Sequence, residues 1–163
     1  MRALPEGAMN KPVEIFYSYS HKDERLRDKL EVHLKLMQRQ GLISNWHDRR
    51  IGPASEWDGE ISSHLESAHI ILLLISPDFL SSDYIYDVEL KRAMERHEAG
   101  EARVIPIILK PCDWMTAEFS KLQALPRDGK PVVKWGNRDE AFSQITSAIR
   151  DLVRSMPAGD RPI

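Results

Sequence analysis

The sequence predicts an α/β domain, a doubly wound five-stranded parallel sheet with helices on both faces. Three observations carry this. Strand-like and helix-like stretches alternate along residues 13–156. Two strand-like stretches, HIILLLIS (69–76) and RVIPIILK (103–110), are almost wholly apolar, as strands covered on both faces are. Finally, crossovers between parallel strands are right-handed, so successive helices cover the sheet, and a five-strand version takes the order 2-1-3-4-5.

The elements follow in order. VEIFYSYS (13–20) is rich in β-branched and aromatic residues and predicts strand 1. A helix follows, with Ser20 as N-cap, acids in its first turn and Gly41 at its stop. Leu26, Leu30, His33, Leu34 and Met37 share one stripe of it. LISNWH (42–47) is a short strand 2, and DRRIGPASE (48–56) is a loop punctuated by Gly-Pro. WDGEISSHLESA is a short helix with Trp57, Ile61 and Leu65 on one side. Strand 3 is 69–76, SPDFLSS a turn, and 83–100 a helix ending at Gly100. Strand 4 is 103–110, with Pro106 an objection to a central position. A long connection leads to PVVKW (131–135), a small strand 5, and the amphipathic helix 139–156 closes the domain.

Composition narrows the function. At 163 residues the chain fits one domain with a full core. Lys plus Arg is 23 and Asp plus Glu 25, so the whole-chain balance gives no footprint for nucleic acid or an anionic membrane. No apolar run approaches the roughly 20 residues that cross a bilayer. The lone Cys112 excludes a disulfide framework within one chain and suits a reducing, cytoplasmic setting. His64, His69 and His97 lack metal-ligand spacing, so no metal is expected. No Gly-x-Gly-x-x-Gly follows strand 1. A phospho-acceptor pocket is not expected either, with only Asp23 and Glu24 at the start of the first helix. Residues 1–11 read as a disordered leader, 12–154 as the domain, and 155–163 as a tail or a linker to a further domain.

A sheet of this topology binds ligands beyond the carboxyl ends of its strands, at the switch point between strands 1 and 3. Three segments meet that edge: SYSHKD after strand 1, DRRIGPASEW after strand 2 and SPDFLSSDYIYDVE after strand 3. The last brings two acids, Asp87 and Glu89, to the edge. An acid in the first turns of a helix is also favoured by the helix dipole alone.

These segments resemble the Toll/interleukin-1 receptor (TIR) domain, in particular its bacterial NAD⁺-cleaving branch. FYSYSHKDE (16–24) is similar to the family's first box, and DRRIGPASEW (48–57) to its second, the BB loop. ISPDFLSSDYIYDVEL is similar to the stretch that carries the catalytic glutamate of enzymatic members, and RVIPIILKPCDW to the fourth strand and its exit. The resemblance covers about residues 12–154 and implies a flavodoxin-like sheet.

For function the resemblance implies an NAD⁺ hydrolase, which cleaves the nicotinamide–ribose bond to give ADP-ribose or a cyclic isomer. NAD⁺ is then substrate, and no cofactor is implied. It further implies an effector of bacterial antiphage immunity, activated by self-assembly through the BB loop (Asp48 to Trp57) and by a C-terminal sensor domain. The alternative is a non-catalytic adaptor acting by TIR–TIR association. Glu89 matches the catalytic glutamate on length and residue type, with Asp87 the other acid in reach. The family commonly has Trp-x-x-x-Glu; here Ile85 stands four before Glu89, and Tyr84 one residue earlier.

The same resemblance suggests substrate contacts for Tyr19, Ser20, His21, Asp48, Trp57 and Tyr84. Structural roles compete with several of these. Ser20 suits a helix cap, Trp57 the apolar stripe with Ile61 and Leu65, and Asp48 the ordering of its loop. Arg49 and Arg50 could meet a pyrophosphate, with a solvated pair favoured.

Overall fold

The computed structural model describes residues 11–46 and 63–156. Four parallel strands form one sheet: β1 (Val13–Ser18), β2 (Ile43–Trp46), β3 (Ile70–Ile75) and β4 (Arg103–Ile108), in the order β2-β1-β3-β4. β1 lies between β2 and β3, with Ile15 opposite both Asn45 and Ile70. The order reverses at β1, which puts the switch point between β1 and β3.

The helices are α1 (Glu24–Arg39), α2 (Pro77–Ser81), α3 (Lys91–Glu98) and α4 (Arg138–Ser155). Residues 63–67 are also helical. α1 and α4 cover one face, where Leu30, Leu34, Phe142 and Ile145 pack on Ile15, Leu72 and Ile107. α2, α3 and residues 63–67 cover the other, where Leu65, Phe79, Leu90 and Ala93 pack on Phe16, Ile71 and Leu73. All six residues of β3 are buried, as its unbroken apolar run predicts.

α1 forms as the pattern predicts: Leu26, Leu30, Leu34 and Met37 are buried. It stops at Gly41, whose φ of 76° lies in the left-handed region that glycine enters without a Cβ clash. Leu42 N–H donates to the Met37 carbonyl at 2.9 Å and Gly41 N–H to that of Gln38 at 3.0 Å, a Schellman closure. Ser20 caps the short 3₁₀ turn His21–Asp23 that precedes α1, its Oγ accepting from Lys22 N–H at 3.2 Å. Asn137 caps α4, accepting from Asp139 N–H at 2.8 Å.

Three local expectations change. PVVKW is not a fifth strand: Val132–Lys134 is a 3₁₀ turn. Pro131 has no N–H to give a ladder, and Leu125 already takes the outer edge of β4. Ile108 N–H donates to the Leu125 carbonyl and Leu125 N–H to that of Pro106, both at 2.8 Å. What remains of a fifth strand is one bond, Val133 N–H to the Leu109 carbonyl at 3.1 Å. Pro106 fits for the same reason. Arg103 and Leu109 donate toward β3, so the alternate position 106 turns its missing N–H to the edge, where proline is tolerated. SPDFLSS contains α2, capped by Ser76, whose Oγ accepts from Phe79 N–H at 3.0 Å. The helix at 83–100 is not uniform: Ile85–Leu90 is a π turn that leads into α3.

A buried arginine fixes the helical segment 63–67. Arg96 Nη1 donates to the Leu65 and Ala68 carbonyls, each at 2.7 Å, and Nη2 to the Glu101 carbonyl at 3.1 Å. These are carbonyls of the kind a helix end leaves open.

Candidate functional site

The site begins with the alternation of β1. Successive strand residues face opposite sides of a sheet. Phe16 and Ser18 therefore face α3, while Tyr17 and Tyr19 face α1. Ser18 is the last residue of β1 and sits beside Leu73 of β3, at the carboxyl edge and next to the switch point.

Glu89 reaches the same place from the π turn. Ser18 Oγ donates to Glu89 Oε1 at 2.7 Å, and both residues are 1 % exposed. Of the two acids in this segment, Glu89 faces inward and Asp87 is exposed. Tyr86 is half-buried against the α3-side core, its hydroxyl donating to Glu118 Oε1 at 2.7 Å. That bond, with burial and the Glu118 charge, raises the phenol above its ordinary range.

The π turn also accounts for the position of Tyr84. An α-helix brings residues i and i+4 onto one face. A π turn closes i to i+5 and inserts one residue, so i and i+5 share that face. Tyr84 and Glu89 are five apart and span the π turn Ile85–Leu90. The turn thus gives Tyr84 the relation to Glu89 that an aromatic four residues earlier has in an α-helix. Tyr84 is half-buried against the α3-side core.

Tyr19 is 1 % exposed and lies in the α1-side core, on the opposite face of the sheet from Glu89. The cause is parity: Tyr19 is one residue past Ser18. The guanidinium of Arg27 lies 5.2 Å from the Tyr17 ring centre and 5.6 Å from that of Tyr19. Ser20 and His21 sit on the loop after β1, Ser20 half-buried and His21 exposed, with the His21 ring 6.3 Å from that of Tyr19. Asp48, Arg49, Arg50 and Trp57, and with them the segment Asp48 to Trp57, lie outside the described residues. The residues flanking that segment do meet: Trp46 and His64 stack with ring centres 3.8 Å apart.

Two groups at the edge went unassigned in the sequence. Ser18 is one, although the period-2 pattern of VEIFYS already puts it on the side of Phe16. Asp23 is the other. It is 1 % exposed, accepts a hydrogen bond from Ser76 Oγ through Oδ2, and pairs through Oδ1 with Lys110 Nζ at 2.7 Å. Both of its oxygens are engaged, so Asp23 ties the loop after β1 to the ends of β3 and β4. Among the described residues, no group of three or more His, Cys, Asp or Glu could hold a metal ion. None of their helices is long and apolar enough to cross a membrane.

The comparisons with known proteins agree with this architecture. A family described as TIR domain matches residues 15–146. The chain is 56 % identical over 137 residues to "Uncharacterized protein y4lF" of Sinorhizobium fredii (strain NBRC 101917 / NGR234). The match covers 84 % of this chain but 42 % of that relative, so the chain spans less than half the relative's length. Among solved structures, the TIR domain of the Toll-related receptor TRR-2 from Hydra magnipapillata superposes with a TM-score of 0.61. At 20 % identity, over 86 % of this chain and 98 % of that one, this likeness concerns the fold alone. The four-stranded parallel sheet, the order reversal at β1 and the match over most of the length lead to one assignment: the chain belongs to the TIR domain family.

Proposed function

We propose that this domain cleaves NAD⁺ at the nicotinamide–ribose bond, with Glu89 as the carboxylate that acts on the ribose. One observation carries the reading. Glu89 is turned inward at the carboxyl edge and held by Ser18, although a helix-surface acid would ordinarily face water. The chemistry suits a carboxylate working without a partner acid. Nicotinamide leaves NAD⁺ as a neutral molecule and needs no proton, unlike the leaving group of an ordinary glycoside. Glu89 stabilises the positive charge that develops on the ribose, and such stabilisation is strongest where water is excluded. Water attack then gives ADP-ribose; attack by the adenine gives a cyclic isomer.

In this reading Tyr84 packs on the substrate from the face of Glu89, and Ser20 and His21 contact ribose and phosphate. Asp48 and Trp57 belong to the loop that self-association rearranges. Tyr19, packed in the other core, receives no substrate role. The greater length of the Sinorhizobium relative supports a sensor domain elsewhere in the whole protein, and an assembly-gated antiphage effector is the role proposed for it.

A second reading, a TIR adaptor without chemistry, has its own observation. Glu89 is only 1 % exposed, so a substrate reaches it only after neighbouring groups move.

Nicotinamide release from NAD⁺ by concentrated protein, beside Glu89→Gln, separates the two. The substitution keeps the shape and removes the charge. We expect turnover to fall by about 10²–10³-fold, the loss typical of one preorganised electrostatic group. Equal turnover by Glu89→Gln removes Glu89 from the chemistry. If the parent consumes no NAD⁺ under any assembling condition, the adaptor reading stands.

A further inference from the structure

A second polar site lies on the other side of the sheet. A groove of about 620 Å³ runs between the start of α1, the end of β4 and the start of α4. Five cations line it: Lys22, Arg25, Lys29, Lys110 and Arg138. Neither Ser18 nor Glu89 is among its lining residues. The chain as a whole carries a formal net charge of −2, so this concentration of positive charge is local.

Two acids, Asp23 and Asp139, also line the groove. Asp23 holds Lys110 and Ser76. Asp139 lies 3.1 Å from His33 Nε2. Asp28 and Glu31 pair with the buried Arg27. Lys22, Arg25, Lys29 and Arg138 form no ion pair with a carboxylate among the described residues. Like charges held this close repel one another, and an anion between them relieves that repulsion.

Spacing sets the size of the anion. Arg25 and Lys29 stand one turn apart on α1, about 6 Å at about 1.5 Å per residue, and Lys22 precedes them on the 3₁₀ turn. Arg138 faces them from α4. A chain of two or three phosphates matches this spread of cations better than a single phosphate does. Beside the charged groups and Asn137, the lining is apolar, from Leu26, Val133 and Phe142, and the volume lies within the ordinary range for small-ligand sites.

We propose that this groove binds a small polyphosphate, either an inorganic chain or the phosphate tail of a nucleoside triphosphate. The assignment does not depend on the reading of Glu89, because no described residue is shared.

Calorimetric titration of the chain tests it with three probes: inorganic tripolyphosphate, ATP and AMP. We expect the first two to bind and AMP to bind at least about tenfold more weakly, since each lost phosphate contact forfeits charge-assisted bonds. ATP tighter than tripolyphosphate assigns the nucleoside to the apolar lining; equal affinity assigns a purely inorganic ligand. The double variant Arg25→Glu/Lys29→Glu should abolish binding while keeping its thermal unfolding, since both side chains are exposed. Lys91→Glu/Arg103→Glu makes the same charge change outside the groove and should leave binding unchanged. Equal loss in both double variants, or equal affinity for AMP, overturns the site. Tighter binding of a short single-stranded DNA than of tripolyphosphate also overturns it, in favour of a nucleic-acid surface.

Discussion

Two charges are buried on opposite faces of the same strand, and β1 holds both. Arg27 of α1 lies against Tyr17 and Tyr19; Glu89 of the π turn lies against Ser18. Their neutralisation differs. Arg27 pairs with acids of its own helix, Asp28 one residue on and Glu31 four residues on, with Nη1 to Glu31 Oε1 at 2.7 Å. Those bonds, against the cost of burial, raise its pKa further. The hydrogen bond from Ser18 to Glu89 joins residues 71 apart and ties the π turn to the end of β1. The first arrangement is local to one helix. The second joins two elements at the carboxyl edge, where the proposed reading puts the substrate.

The largest test of that contrast is Arg27→Ala. It removes a fully buried side chain that covers two tyrosine rings, while Asp28 and Glu31, 44 % and 31 % exposed, return to water. The expected loss is about 2–3 kcal/mol of unfolding free energy, mostly from packing. Urea unfolding measures it. NAD⁺ turnover per folded molecule should not change; a fall in turnover with stability intact would break the division between the two faces.

Ser18→Ala is the matching change on the other face. A hydrogen bond to a charged group contributes about 1.5–3 kcal/mol, so the expected fall is on the order of 10–100-fold in kcat. On the proposed reading Ser18 positions Glu89, and KM should move less than kcat. An unchanged kcat would mean that Glu89 is held adequately without it.

The same contrast explains what was legible in the sequence. Periodicity carries local information, so the sheet class, the α1 stripe and the cap at Ser20 could be read directly. The pairing of Arg27 with Glu31 is of this kind too, since i and i+4 are helix neighbours. Topology places an acid near the edge where ligands bind, and the resemblance points to Glu89 rather than Asp87; the structure turns Glu89 inward and leaves Asp87 exposed. The Ser18 contact was not legible, since it joins two elements, although strand parity allowed it and puts Tyr19 on the other face. The fifth strand failed because β propensity does not record that Leu125 has already taken the edge. The π turn failed because a helical pattern offset by one residue does not reveal where the extra residue is absorbed.

That offset can be tested by removing it. Val88 is 43 % exposed within the π turn, and deleting it leaves α-helical spacing between Tyr84 and Glu89. The flanking helix keeps its faces, because a π turn is one inserted residue. Turnover should fall by no more than about 10²-fold, the loss that a misplacement of about 1 Å brings. Deleting Lys91 instead rotates Ala93 and Met94 out of the core and should unfold the domain. If both deletions unfold it alike, the π turn is required for the fold and does not merely carry the offset.

The smallest effect belongs to the surface pair Arg92 and Glu66. Arg92 donates through Nη2 to Glu66 Oε1 at 2.6 Å and through Nε to the second oxygen. It links α3 to the helical segment 63–67, as the buried Arg96 does. The geometry is bidentate, but both side chains are well exposed, and water screens such pairs. The hydrogen bond from Arg92 lowers the Glu66 pKa. A carboxylate depressed on folding adds stability above its unfolded pKa and loses it as pH falls through the folded value. Arg92→Met should therefore be slightly less stable than the parent at neutral pH, and the two should converge in acid. Arg96→Met, which frees the buried Leu65 and Ala68 carbonyls, should lose far more, with little pH dependence over the same range. Thermal unfolding of both variants from neutral pH into the acid range measures the difference. Equal losses would mean that the exposed pair, and not the buried arginine, fixes the segment beside the site.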